Sequence, residues 1–333
     1  MNFNVKKTGY SLTNSIFVFM KILSFLFIIC SSFCSFSQNS FSKEFSLLTD
    51  NDLYTSTYRD RYYTNGIFLT YRTLSETRNK KFVKKINSYE IGHMMFTPIK
   101  ATLPFASTHD RPFAGYFYGA YGQSRFYNSQ NVLITNLQVG VIGPNAKGQE
   151  LQNFMHQIYN YPEAKGWIHQ IHNAFALNLN TTFVKHFKKL SSSNFDLNSY
   201  NQLNAGTVFT NISTGLYARI GLKKLQKTSN TVAFNSNLNK ASGKSFSESF
   251  FYIKPMLNYV FYDATIQGSF LNTTSPVTFD IKPFHFSFEL GYAYYYRRFN
   301  YGYTFHFHTK KLQSSRAAAS NSYGSLYLGY FFN

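Results

Sequence analysis

Two groups of residues in this chain have the types and spacing for hydrolytic chemistry. Asn51-Asp52 closes one stretch of alternating polar and apolar residues, and Thr64 lies in Asp60-Arg61-Tyr62-Tyr63-Thr64-Asn65-Gly66 at the start of the next. Strands joined by a single connection lie about 5 Å apart, so Asn51, Asp52 and Thr64 can meet at one rim. The second group sits on the clearest helical pattern of the chain, Ala146 to Ile158. There Leu151, Phe154, Met155 and Ile158 recur at i, i+3, i+4 and i+7 as one apolar stripe. Gln149, Gln152 and His156 share a different face, flanked by Asn153.

Asp52 is a hard oxygen ligand. Asn51, Thr64 and backbone carbonyls could complete an oxygen shell, a chemistry that suits Ca²⁺ rather than zinc. A neutral His156 could take a proton from water or a hydroxyl, while the cation polarises an ester carbonyl and stabilises the oxyanion. Taken singly, Asp50–Asp52 suits a turn and His156 a solvated histidine better than a site. The pairs His169/His172 and His306/His308 have zinc-like spacing, but no further Cys or spaced His completes either. No Gly-x-Ser-x-Gly, nucleotide loop or Cys–His pairing occurs.

What must position these residues is a β-scaffold. Aromatic residues make up 20% of the chain while mean hydropathy stays at -0.26. A transmembrane β-barrel needs that combination, with aromatic girdles outside and polar residues in the lumen. A soluble sandwich explains the alternation but not the tyrosine excess. Twelve candidate strands are expected near 43–54, 63–72, 88–97, 112–122, 132–142, 173–186, 195–205, 208–222, 249–262, 280–296, 301–309 and 322–332. An even count of antiparallel strands lets the last seal against the first. In that last strand Leu326, Leu328, Tyr330 and Phe332 share one face, and Ser325 and Gly329 the other. The expected fold is therefore all-β: a transmembrane antiparallel barrel of about twelve strands, with a short helix inserted after the fifth. Counting strands up and down puts the helix at the same end as Asn51 and Thr64. The polar segments 225–244 and 308–320 are expected to be long loops, the first of them mobile and extracellular.

Lys6, Lys7 and Lys21 precede an apolar run, Ile22 to Cys30, and then small residues up to Ser37. This predicts a signal peptide over 1–37 and a single barrel domain over 38–333. Both cysteines lie in the signal, so the remainder has no thiol chemistry. No later stretch is apolar for the roughly 18 residues a spanning helix requires. The net charge is +19, of which the signal carries three positives and no acid. Such an excess fits a phosphate-rich partner. An exported chain with no binding motif makes nucleic acid a poor candidate, and the phosphorylated glycolipid of an outer leaflet a better one.

A family resemblance joins these pieces. Asn51-Asp52, Asp60 to Gly66, Asp110-Arg111-Pro112-Phe113-Ala114-Gly115, and Gly140-Val141-Ile142-Gly143-Pro144 through Gly148-Gln149-Glu150-Leu151-Gln152-Asn153 to His156 resemble the outer-membrane lipid A 3′-O-deacylases. Tyr262 to Ser269 is similar to a late segment of that family. The resemblance implies a twelve-stranded barrel and a Ca²⁺-dependent esterase that removes the 3′-linked acyloxyacyl group of lipid A. It implies that Asn51, Asp52, Thr64, Gln152 and His156 are active-site positions, with His156 the base that activates water and Asp52 part of the Ca²⁺ site. Arg111 is a candidate to hold a substrate phosphate bidentately. Where the family has an acid six residues after the histidine, this chain has Pro162, followed by Glu163; His172 also stands where an acid is usual. The expected setting is the bacterial outer membrane, with lipopolysaccharide as partner and the protein a monomer. The rival readings are an outer-membrane phospholipase, a porin, and a barrel that binds glycolipid without cleaving it.

Overall fold

The computed structural model describes residues 40–55, 62–77, 79–99, 101–240 and 247–333. The signal peptide and the Asp60-Arg61 pair lie outside the described residues. Twelve strands close into one antiparallel barrel in which each strand pairs with its neighbours in sequence and β1 seals against β12. They are β1 (Lys43–Asn51), β2 (Tyr62–Ser75), β3 (Phe82–Thr97), β4 (Ala114–Tyr127), β5 (Val132–Ile142), β6 (Ala174–His186), β7 (Phe195–Gly206), β8 (Phe209–Gly221), β9 (Glu248–Asp263), β10 (Phe284–Tyr296), β11 (Phe299–Thr309) and β12 (Ser320–Phe332). The seam runs from Lys43 opposite Phe332 to Asn51 opposite Gly324, so no strand edge is left for lipid to solvate. Helix α1 (Gly148–Tyr159) follows β5, and a single turn, α2 (Ala264–Gln267), follows β9.

The alternation works as expected. Phe45, Leu69, Ile91, Phe117, Leu137 and Leu328 stand exposed on the outer wall, the surface an acyl-chain environment covers. Their sequence neighbours point into a lumen that mixes aromatic and polar groups. Most strand ends fall close to expectation. The first strand stops at Asn51 rather than Tyr54, because Asp52–Tyr54 turns into a 3₁₀ helix. Asn51 caps that turn, its Oδ1 accepting from Leu53 N at 2.7 Å.

One expectation is overturned. Because β1 ends at the rim that carries Asn51 and strands alternate in direction, the β8–β9 connection lies at the opposite end, where barrel turns are usually short and periplasmic. Residues 225–240 are not an external loop. They fold into the barrel as a plug, burying Val232, Phe234 and Leu238 against Ile86, Phe126, Tyr217, Phe250 and Phe331. The segment's Asn, Ser and Thr content reflects a chain that must satisfy its backbone inside a polar lumen. Ser236 Oγ accepts from Thr231 N at 2.9 Å, and Lys84 Nζ donates to the Ser236 carbonyl at 2.6 Å. The anchor is Arg219, fully buried, which pairs with Asp196, lies 3.5 Å from Glu248 and donates to Thr231 Oγ1 at 2.6 Å.

Replacing Arg219 with Ala would leave Asp196 and Glu248 as uncompensated buried carboxylates, at a cost of about 3–5 kcal/mol. The urea midpoint of the refolded R219A barrel is expected to fall accordingly; an unchanged midpoint would show that the plug is not held by this network.

Candidate active site

The rim of β1 and β2 is shaped by one irregularity. Asn51 pairs with Asn65, and Asn65 with Met95, whereas Tyr63 pairs with Phe96. Thr64 is therefore an extra residue, a β-bulge that breaks the two-residue alternation. It lets Thr64 and Asn65 line the same cleft, although ordinary pleating would send them to opposite faces of the wall. Thr64 Oγ1 lies 2.6 Å from Thr97 Oγ1 at the end of β3.

Helix α1 lies over this rim on the outer face. Its approach is built from small residues. Gly143, at φ +100°, turns the chain out of β5 in a conformation that L side chains rarely adopt. Gly148 starts the helix so close to the wall that a Cβ there would meet the Trp167 ring at 2.6 Å. His93 on β3 donates from Nε2 to the Ala146 carbonyl at 2.8 Å. Trp167 is completely buried among Met95, Ala101, Phe113 and Ala164. Its indole N–H donates to Gln152 Oε1 at 2.6 Å.

The helix faces the wall with its polar side. Gln152 is 1% exposed, whereas Phe154 and Ile158 of the apolar stripe are 57% and 48% exposed. Phe154 and Ile158 thus extend the barrel's outer apolar belt, while Met155 of the same stripe turns under the helix into the cleft. After Tyr159 the chain reverses through Asn160, at φ 57°, and returns the Pro162 carbonyl to His156. His156 Nδ1 donates to that oxygen at 2.6 Å. This bond sets the tautomer, so Nε2 is the nitrogen with a lone pair. Where the family pattern has an acid, a backbone carbonyl here does the orienting. Glu163 instead accepts from Asn153 at 3.4 Å, and His172 lies 2.7 Å from Thr274 Oγ1.

Five of the six predicted site residues converge. Asn51, Asp52, Thr64, Gln152 and His156 line one cleft of about 30 Å³, joined by Leu53, Asn65, Met95, Met155 and Tyr161. Asp52 and Asn65 are 2% and 5% exposed, and Asn65 Oδ1 has no hydrogen-bond partner among the described residues. The donors gathered here are one carboxylate, amides, a hydroxyl and backbone oxygens. No group of three or more His, Cys, Asp or Glu side chains placed to hold a metal ion occurs among the described residues. A metal at this rim would thus rest on a single carboxylate and neutral oxygens, a set that suits a hard cation and not zinc. His306 lies 2.8 Å from Ser325 Oγ, and His169 donates to the Pro104 carbonyl at 2.9 Å.

Arg111 is not at the cleft. It projects to the lumen side of the wall, 5% exposed, over the Phe96 ring, with Nη2 donating to Thr265 O and Oγ1 at 3.1 Å each. Asp110 braces the start of β2: Tyr62 Oη donates to its Oδ2 at 2.9 Å, and Ile99 N to its Oδ1 at 3.0 Å. The Asp-Arg motif therefore ties β2, the β3–β4 connection and α2 together. The residues that sequence reasoning missed, Asn65, Thr97, Trp167 and the Pro162 carbonyl, depend on the bulge or on loop return.

A barrel closed to lipid on every edge, with a polar cleft on its outer face under an amphipathic helix, defines an integral outer-membrane protein. The model of the family described as outer membrane protein LpxR matches residues 22–332. The chain belongs to the LpxR family, the lipid A 3′-O-deacylases of the bacterial outer membrane. Among solved structures it is similar to LpxR from Salmonella typhimurium, with 18% identity and a TM-score of 0.69 over 87% of this chain and 100% of that one. It also matches the β domain of the Bordetella autotransporter BrkA, with 7% identity, a TM-score of 0.44, and 88% and 99% of the two chains covered. A third match is the translocator domain of NalP from Neisseria meningitidis, with 8% identity, a TM-score of 0.41, and 96% and 98% covered. No curated protein matches the sequence.

Trp167 is the only tryptophan in the chain, so its emission reports helix docking directly. Gly148→Ala puts a methyl into the indole ring, and overpacking of this kind costs about 1–3 kcal/mol. The expected outcome is a red-shifted emission maximum in G148A, while an unshifted spectrum would show that the helix does not rest on Trp167.

Proposed function

We propose that this protein is a Ca²⁺-dependent esterase that hydrolyses the 3′-linked acyloxyacyl ester of lipid A. The observation that carries the reading is that the five converging residues sit on the outer, lipid-facing side of the wall and not in the lumen. A lipid ester at the polar–apolar boundary can reach such a cleft by lateral diffusion, with its acyl chains along Phe154, Ile158 and the outer belt. A soluble ester would have no reason to be met there.

His156 acts as general base through Nε2, with Nδ1–H held by the Pro162 carbonyl. It takes a proton from the attacking water as the water oxygen adds to the ester carbonyl. The same imidazolium then returns the proton to the departing sugar oxygen. Gln152 keeps its amide oxygen on Trp167 and so presents its N–H side to the cleft, where it donates to the developing oxyanion. Asn51 and Thr64 orient the ester at the rim. Asp52, with Asn65 and backbone oxygens, is the set of residues that would hold the cation. Bound there, Ca²⁺ would supply Lewis-acid stabilisation of the oxyanion. The lysine and arginine excess favours the phosphorylated substrate electrostatically.

The phospholipase alternative requires a serine activated by the histidine, and no serine lines this cleft among the described residues. The porin alternative requires an open bore, whereas the plug of residues 225–240 fills the far end of the lumen. Purified protein in mixed micelles is expected to release acyloxyacyl groups from lipid A with Ca²⁺ present. Activity should stop on chelation, return on adding Ca²⁺, and leave phosphatidylethanolamine intact. A loss of about 10²-fold or more is expected for His156→Ala, the scale of a removed general base. Hydrolysis that persists in excess chelator would contradict the metal role, and cleavage of phospholipid would favour the alternative.

A further inference from the structure

Across the wall from the cleft, the lumen holds a second and larger cavity, about 440 Å³, beneath the connections of the outer end. That volume lies in the range, roughly 300–1,000 Å³, of sites that enclose small ligands. Much of its lining is apolar, including Leu48, Phe68, Met94, Phe209 and Ile266. One end carries cations: Arg111, Lys310 and Lys311, next to His308.

The hydrogen bonding at the two ends is unequal. Each carboxylate in the lining is already engaged. Asp50 accepts from Ser325 at 2.6 Å and Tyr63 at 2.7 Å, Glu90 from Thr70 and Tyr118 at 2.9 Å, and Asp263 from Thr265 Oγ1 at 2.6 Å. The cationic end is less completely paired, Arg111 being held among the described residues only through Nη2 on Thr265. Arg111 Nε and both ring nitrogens of His308 are buried with no hydrogen-bond partner among the described residues. Lys310 donates to the Ser314 carbonyl, but Lys311 has no carboxylate within 4.0 Å among the described residues. Burial and the neighbouring Arg111 charge push the Lys311 ammonium down to about 8, and burial draws Arg111 down to about 10, although Asp263 is near enough to both to oppose the shift and neutralises one of the two charges. The Arg111 Nε–H and the single N–H of a neutral His308 are thus unmatched buried donors, which are costly, and an oxyanion is the group that would satisfy them together with Lys311. Lys310 and Lys311 are only half-buried, so this end reaches solvent.

We propose that the lumen cavity binds an amphiphilic oxyanion, a carboxylate or phosphate on a medium-length alkyl chain, with its head between Arg111, Lys311 and His308 and its chain along the apolar lining. The site is separate from the hydrolytic cleft and stands whether or not lipid A is cleaved there.

The test is isothermal titration of the refolded full barrel, in nanodiscs of zwitterionic lipid, with decanoate, decyl phosphate and decanol, empty discs serving as the partition control. Saturable one-to-one binding of at least one anion is expected, with decanol weaker by roughly tenfold or more, the effect of one lost charge-assisted hydrogen bond. Which anion binds tighter distinguishes a carboxylate site from a phosphate site. Lys311→Gln, on a half-buried loop position, should lose roughly tenfold in affinity, Lys311→Arg should restore it, and Arg111→Gln should behave like Lys311→Gln if it folds. His156→Ala should bind as the unmodified protein does. Equal binding of decanol and the anions, unchanged affinity in K311Q, or uptake matching empty discs would each overturn the proposal.

Discussion

Everything at the outer rim depends on the close seating of one short helix on the outside of a barrel. The contact is made by a glycine, an indole and an amide. Gly148 permits the approach, Trp167 fills the space between helix and wall, and the indole N–H fixes Gln152. Leaving that buried N–H or amide oxygen unmatched would cost about 1–3 kcal/mol, so the bond does more for orientation than for overall stability. It also explains why the helix shows its amides to the wall and its Phe154–Ile158 stripe outward. In water that arrangement would be inverted; beside acyl chains it is the favourable one.

The two-residue alternation of the strands gives the wall two chemistries. Asn51 and Asn65 face out while Asp50, one residue from Asn51, and Tyr63, two residues from Asn65 across the bulge, face in. A single bulge at Thr64 brings two consecutive side chains to the outer cleft, and the kink it introduces is held by Asp110 through Tyr62. The same Asp-Arg pair sends Arg111 inward to α2. The motif therefore joins the cleft and the lumen mechanically, without Arg111 itself entering the cleft.

Much of this was legible in the sequence. Alternation and aromatic content gave the closed twelve-stranded barrel, and strand parity put α1 at the same end as Asn51; the gathering of His156, Gln152, Thr64, Asp52 and Asn51 further needs the helix seated on Trp167 and the bulge at Thr64. What was not legible depended on which way a segment turns. The polar composition of residues 225–240 suits an exposed loop and a lumen plug equally, because both solvate the backbone with polar partners. Arg111 was placed with the substrate by its chemistry, but pleating decides the face, and a one-residue offset reverses it. Pro162 looked like the loss of an orienting acid. A main-chain oxygen returned by the Asn160 reversal replaces it, and no side-chain pattern reports that.

The central claim is that an imidazole on the helix and the oxygen-bearing rim of the first two strands act together on an ester of the surrounding glycolipid. The most direct measurement is the mass spectrum of lipid A from cells producing either the unmodified protein or its His156→Ala form, grown with Ca²⁺ and with folded barrel verified in the outer membrane. The account predicts lipid A lighter by one acyloxyacyl group with the unmodified protein and full-mass lipid A with H156A. Identical spectra from the two would contradict it.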